Sequence, residues 1–268
     1  MLKQLISYTA WRMIPPKAYG SFHILFTVIG FALCAVLAIA CRRLSEKAHR
    51  RLLLSLGLFL AVTELYKQLF YYYYIGNCSY QWWIFPFQLC SVPMYLCIIA
   101  ALIPKGRVQR GIYAFMSTFN LLGGAIAFAE PSGLCHSYVT LTAHSFVWHM
   151  LLVFIGFYLI ASGRGCDSAA DFGGAVATFL ALCVIAFGIN VGFWDISGGS
   201  VNMFFIGPAN TTLVVFKDIA QEYGWYVATA LYIPVVCIGA AIVWGVTRVV
   251  RYFCNKHKHL ALKGYKHA

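Results

Sequence analysis

Residues 85–97 of the chain read FPFQLCSVPMYLC. The stretch has the apolar weight of a membrane helix, yet it holds Gln88, Cys90, Ser91 and Tyr95 among its apolar residues. A cysteine becomes a nucleophile as its thiolate, and a neighbouring imidazole can supply the base that forms it. Two imidazoles lie further on, His144 and His149 in TLTAHSFVWHMLLVFIGFYLI. A ring within hydrogen-bond reach of Cys90 would supply that base. Gln88 or Tyr95 would then serve as donor to an oxyanion. Five residues turn a helix by about 500°, which leaves the two imidazoles about 140° apart. One site is therefore not expected to use both equally, whereas Ser145 and His149 share a face.

A second polar set precedes these. Glu64, Lys67, Gln68 and Tyr71 fall on one helical face, where Glu64 and Lys67 can pair. An ionisable side chain inside a span costs about 2.5–3.5 kcal/mol and usually faces a cavity or a partner. Asn120 adds an amide, and Glu130 falls near the outer rim. Read as helix, Gln88, Ser91 and Tyr95 form one stripe beside Cys90 and Cys97. Pro86 then sits in the first turn and Pro93 kinks the helix near Cys90. Each residue also has a plainer reading: Cys90 as a small apolar filler, Gln88 as a tie between helices, Glu64 and Lys67 as a neutralised packing pair. Tyr71–Tyr74, Trp82 and Trp83 read as an outer aromatic belt. Taken together, the polar residues predict a chamber in the outer half of a helical bundle.

The elements that position them follow from composition. Of 268 residues, 61% are hydrophobic and 10% charged, against about 45–50% and about 25% in soluble domains. The excess falls into runs of the roughly 20 apolar residues that span a bilayer. Seven qualify: Phe22–Cys41, Leu52–Ile75, Ile84–Ile103, Gly111–Ala129, Leu141–Ala161, Phe172–Val191 and Trp225–Thr247. The expectation is an all-α, polytopic bundle of seven transmembrane helices. Residues 1–20 form a short outside segment, 21–247 the membrane domain and 248–268 a basic tail. The first segment reads equally as an interfacial helix or a flexible tail, and no cleavable signal peptide is evident.

Fifteen of the twenty Lys and Arg fall in three alternate linkers and the tail. Basic residues are retained on the cytoplasmic side, so the amino terminus is expected outside and the carboxyl terminus in the cytoplasm. The net charge of +12 then faces anionic lipid at the basic loops rather than nucleic acid. Of ten cysteines, only Cys78 and Cys135 fall in outside loops, as a disulfide or as two free thiols. No CxxC pair, metal-ligand spacing or cofactor motif occurs. Asn77-Cys78-Ser79 and Asn210-Thr211-Thr212 match the glycosylation pattern, which is short enough to recur by chance. The last connection, Gly192 to Gly224, is too apolar for a solvated loop. It suits a lid over the chamber or a packed cap, with Asp195 and Asn202 at the mouth.

The PFQLCSVPMYL stretch resembles the LPLHLC start of bacterial YwaF-type integral membrane proteins, related to the eukaryotic transmembrane protein 164 group. HSFVWHMLLVFIGFYL and NVGFWDISGGSVNMFFIGPAN are similar too, over about residues 50–245. The resemblance implies a heptahelical bundle in the plasma membrane and, from the eukaryotic relatives, a Cys/His acyltransferase that remodels phospholipids. Cys90 carries over as nucleophile and His149 as base, with His144 in reserve. Gln88 departs from the bacterial pattern, which has His there.

The leading expectation is a lipid acyltransferase or acyl hydrolase acting on phospholipid acyl chains. Cys90 and His149 or His144 would do the chemistry, and Gln88, Tyr95, Glu64, Lys67 and Asn120 would bind substrate. A transporter or solute-capture protein with a Glu/Lys-lined site is the alternative, and a non-catalytic receptor or scaffold the third reading.

Overall fold

A computed structural model describes residues 2–209 and 211–264, with side chains through residue 253. Asn210 of the second glycosylation tripeptide and the remainder of the basic tail lie outside these. Among the described residues the helices are α1 (Leu2–Ser7), α2 (Ser21–Cys41), α3 (Glu46–Phe70), α4 (Val92–Leu102) and α5 (Arg107–Ser117). They continue with α6 (Phe119–Ala129), α7 (Val139–Ala161), α8 (Ala169–Gly192), α9 (Phe216–Tyr223) and α10 (Trp225–Gly264). Six stretches are long and apolar enough to cross a membrane: Ser21–Cys41, Glu46–Ile75, Arg107–Ala129, Val139–Ala161, Ala169–Gly192 and Trp225–Phe253. The protein is an all-helical, multi-pass membrane protein.

The third apolar run departs from expectation. Only its second half, α4, is α-helical. Eleven residues rise about 16 Å, roughly half the ~30 Å of bilayer hydrocarbon. The chain approaches α4 through a 3₁₀ turn at Trp82–Ile84 and irregular turns. Gln88, Cys90 and Ser91 therefore precede the helix, and the stripes predicted for them do not form. Pro93 occupies the first turn of α4, where its missing N–H costs little. It starts a helix rather than kinking one.

Irregular backbone in a membrane protein must find its partners within the protein or a cavity. Three side chains supply them here. Gln68 Nε2 donates to the Ile84 carbonyl at 2.7 Å, the Tyr95 hydroxyl to Pro86 at 2.9 Å, and Trp148 Nε1 to Cys90 at 2.9 Å. Donors from α3, α4 and α7 thus hold one unwound segment.

The α5–α6 rod is interrupted at Thr118, with φ −125° and ψ −77°. Asn120 Nδ2 donates to Met116 O at 3.2 Å and Leu152 O at 3.0 Å, tying the break to α7. Around this, α3 packs on α4, α5 on α8, and both α2 and α6 on α7. Small residues allow the closest of these approaches. A Cβ on Gly111 of α5 would lie 3.0 Å from the Gly174 carbonyl of α8.

Charges gather at the end of the bundle where α3 begins. Glu46 receives Arg50 and Lys105 at 3.3 Å each, Arg110 meets Asp171 at 2.6 Å, and Arg251 pairs with Asp167. The basic linkers singled out in the sequence therefore converge on one end. At the other end the amino-terminal segment is tied down. Met13 N donates to Ser137 O and Val139 N to Trp11 O, each at 3.0 Å. Cys78 and Cys135 are both free thiols.

Candidate functional site

A chamber of about 640 Å³ lies toward the far end of α3 from the charged cluster. Its walls are the end of α3, the unwound approach to α4, the first half of α7, the turn after α6 and the long last connection. Cys90, His144, His149, Gln88 and Lys67 all line it. The structure brings these five together. Glu64, Tyr95 and Asn120 stand behind the wall: Glu64 pairs with Lys67, Tyr95 holds Pro86, and Asn120 holds the α5–α6 break. Asp195 is not part of the lining, whereas Asn202 is.

Each side chain has a local reason for its place. Lys67 Nζ lies 2.9 Å from Glu64 Oε1, one turn away on α3. Gln68 Nε2 also donates to that oxygen at 2.7 Å, and the Tyr80 hydroxyl donates to Gln68 Oε1 at 2.9 Å. Glu64 is 3% exposed, and its network keeps a buried carboxylate paired, as burial of charge demands. Lys67 is the one ammonium on the chamber wall among the described residues.

His149 Nδ1 lies 2.8 Å from the Ser145 carbonyl. A carbonyl only accepts, so the proton sits on Nδ1 and Nε2 keeps its lone pair. His144 stacks on Trp148 with ring centroids 5.2 Å apart, and its Nε2 is buried without a partner. The sequence placed the two imidazoles about 140° apart, yet both reach the chamber because its wall extends around the start of α7. No hydrogen bond joins Cys90 Sγ to either imidazole among the described residues. No three His, Cys, Asp or Glu side chains among them come together as a metal-ligand set.

Two lining residues, Trp148 and His136, lay outside the sequence reading of the site. Trp148 fixes the Cys90 backbone, and a buried indole N–H in a helix bearing two histidines was the available signal. His136 Nε2 lies 2.9 Å from Ser145 Oγ. Burial, with the Lys67 ammonium acting the same way, holds this imidazole below its ordinary pKa. Tyr71 was expected in an aromatic belt. It is buried instead, in a π-helical turn at Tyr71–Ile75, edge-on to Trp83 at 5.4 Å.

The family model described as the TMEM164 family matches residues 18–244, from just before α2 into α10. The chain belongs to the TMEM164 family. The matched region contains every wall of the chamber. No curated protein and no solved structure matches this TMEM164-family chain.

Proposed function

We propose that this TMEM164-family protein is a membrane-embedded lipid acyltransferase or acyl hydrolase, with Cys90 as nucleophile and His149 as base. The observation that carries the reading is the convergence of Cys90 and both α7 imidazoles on one chamber, with Trp148 tying α7 to the Cys90 backbone. His149 Nε2 takes the proton from Cys90 Sγ, and the thiolate attacks the carbonyl carbon of a phospholipid ester. The ester C–O bond breaks, His149 returns the proton to the leaving alkoxide, and the acyl group rests on sulfur as a thioester. An incoming alcohol, amine or water then gives its proton to Nε2 and attacks the thioester, releasing the thiol. The Cys–His contact closes around the substrate, as such contacts commonly do. Lys67 faces the developing negative charge, and His144 is the reserve base.

On the same reading the half-length α4 and its unwound approach together make a seventh crossing. The amino terminus lies outside the plasma membrane and the basic end meets anionic cytoplasmic lipid. The likeness of PFQLCSVPMYL to YwaF-type proteins supports the seven crossings and the plasma membrane, and the one-sided Lys and Arg support the orientation. A second reading, solute capture, is favoured by the Glu64–Lys67 pair at the chamber wall.

Acyl transfer between phospholipids in liposomes tests the choice. Cys90→Ser and His149→Ala should each remove turnover by roughly 10²-fold or more, with a hydroxylamine-sensitive acyl adduct trapped on Cys90 in the wild type. Full turnover in Cys90→Ser, with solute flux lost in Lys67→Met, would replace the enzyme reading by the second.

A further inference from the structure

One wall of the chamber is a short piece of irregular chain held from both sides by side-chain amides. Gln88 Nε2 donates to Asn202 O at 3.0 Å, and Gln88 Oε1 accepts from Phe204 N at 3.1 Å. From α8, Asn190 Nδ2 donates to Met203 O at 2.9 Å, and its Oδ1 accepts from Met203 N at 2.5 Å. Residues 202–204 are thereby paired as a strand would be between two neighbours, with each amide replacing one. Such use of both ends of an amide satisfies buried backbone that has no ladder of its own.

The held segment is strained. Phe204 and Phe205 have φ of 56° and 58°, a left-handed conformation uncommon for bulky residues that persists where the surroundings over-determine it. Phe204 is fully buried, against Phe87 at 5.9 Å and Phe179 at 6.3 Å. The next side chain, Phe205, lines the chamber. Asn190 is fully buried and does not line the chamber. Gly207 closes the arrangement, since a Cβ there would stand 2.8 Å from Asn190 Nδ2.

We propose that Gln88 and Asn190 form a two-sided amide clamp on residues 202–204, and that the clamp makes Phe205 the size-selecting side chain of the chamber. Asn190 is a positioning residue, acting through the strained segment. Gln88 is engaged at both ends of its amide, which makes it part of the wall. The clamp fixes Phe205 against lateral movement, so the chamber discriminates by bulk, admitting a slender chain and excluding a wide one. The proposal rests on the chamber geometry and not on acyl chemistry.

Thiol labelling of the full chain in lipid nanodiscs tests it without any turnover. N-ethylmaleimide and fluorescein maleimide are compared by mass spectrometry of the Cys90 peptide, with exposed Cys78 as the outside control and fully buried Cys97 as the folding control. Wild type should label at Cys90 with the small reagent and exclude the wide one. Phe205→Ala, Asn190→Leu and Gly207→Ala should each raise the wide-to-small ratio at Cys90, on the order of tenfold in rate, with Cys78 and Cys97 unchanged. Equal labelling of wild type by both reagents, or an unchanged ratio in Phe205→Ala, overturns the proposal. A response in Phe205→Ala with none in Gly207→Ala overturns the clamp. Should Asn190→Leu expose Cys97 by misfolding, Phe205→Ala and Gly207→Ala decide.

Discussion

The indole N–H of Trp148 on α7 donates to the backbone carbonyl of Cys90 at 2.9 Å. This bond fixes the unwound approach to α4 against the helix that carries both candidate bases. It satisfies a carbonyl that no regular helix serves, and it sets the distance from the Cys90 backbone to α7.

Trp148→Phe keeps the ring and removes the donor. A buried acceptor left without its partner costs about 1–3 kcal/mol. The variant should unfold at lower temperature in detergent and lose the proposed acyl transfer together with its control of Cys90 labelling. An unchanged melting temperature with unchanged labelling would show that the bond contributes nothing.

Lys67→Met should be among the most damaging substitutions on α3. It removes the only cation paired with Glu64 among the described residues and leaves that carboxylate, 3% exposed and with one oxygen already without a partner, with the neutral Gln68 amide alone. Breaking a buried pair from one side typically costs about 3–5 kcal/mol, whereas replacing both partners is often nearly neutral. The double variant Lys67→Met with Glu64→Leu should therefore be more stable than Lys67→Met alone. Thermal unfolding of the two in one detergent reads the difference, and equal stabilities would refute the coupling.

Gly57→Val tests the contact between α3 and α4. A Cβ at Gly57 would stand 2.6 Å from Ile98 Cγ1 and 3.0 Å from the Met94 carbonyl. The branched side chain cannot be accommodated without parting the helices, and overpacking of this kind costs about 1–3 kcal/mol. The expected readout is a lower unfolding temperature and faster thiol labelling of the buried Cys97.

His136 lies in the turn before α7, and burial depresses its pKa in the folded state. Its neutral form is favoured by folding, so its contribution is intact above the unfolded value near 6.5. It is lost as pH falls from there through the lowered folded value. Between about pH 7.5 and about pH 5 the wild type should lose more stability than His136→Gln. Parallel slopes of unfolding temperature against pH would remove His136 from the titration.

The sequence determined that this is a helical, multi-pass membrane protein. Long apolar runs admit no other economical way to satisfy the backbone in lipid, and six of the seven runs appear as spanning-length helices. It also marked Gln88, Cys90, Lys67, His144 and His149 as polar where lipid would exclude them, and all five line one chamber. What it could not determine was the unwinding before α4. Hydropathy counts apolar surface, and residues 84–91 carry enough of it to read as part of a span whether or not their carbonyls bond within a helix. That outcome depends on Gln68, Tyr95 and Trp148 reaching the Ile84, Pro86 and Cys90 carbonyls, two of those donors coming from other helices. Pro93 was legible as a constraint, but its role as a helix start depended on where that helix began. Asn190 and Gln88 lie about a hundred residues apart in sequence, and each amide was legible only as a polar residue near a span. Their meeting across residues 202–204 was decided by the tertiary structure, because a side-chain amide acquires a role only when packing brings an unpaired backbone group to it.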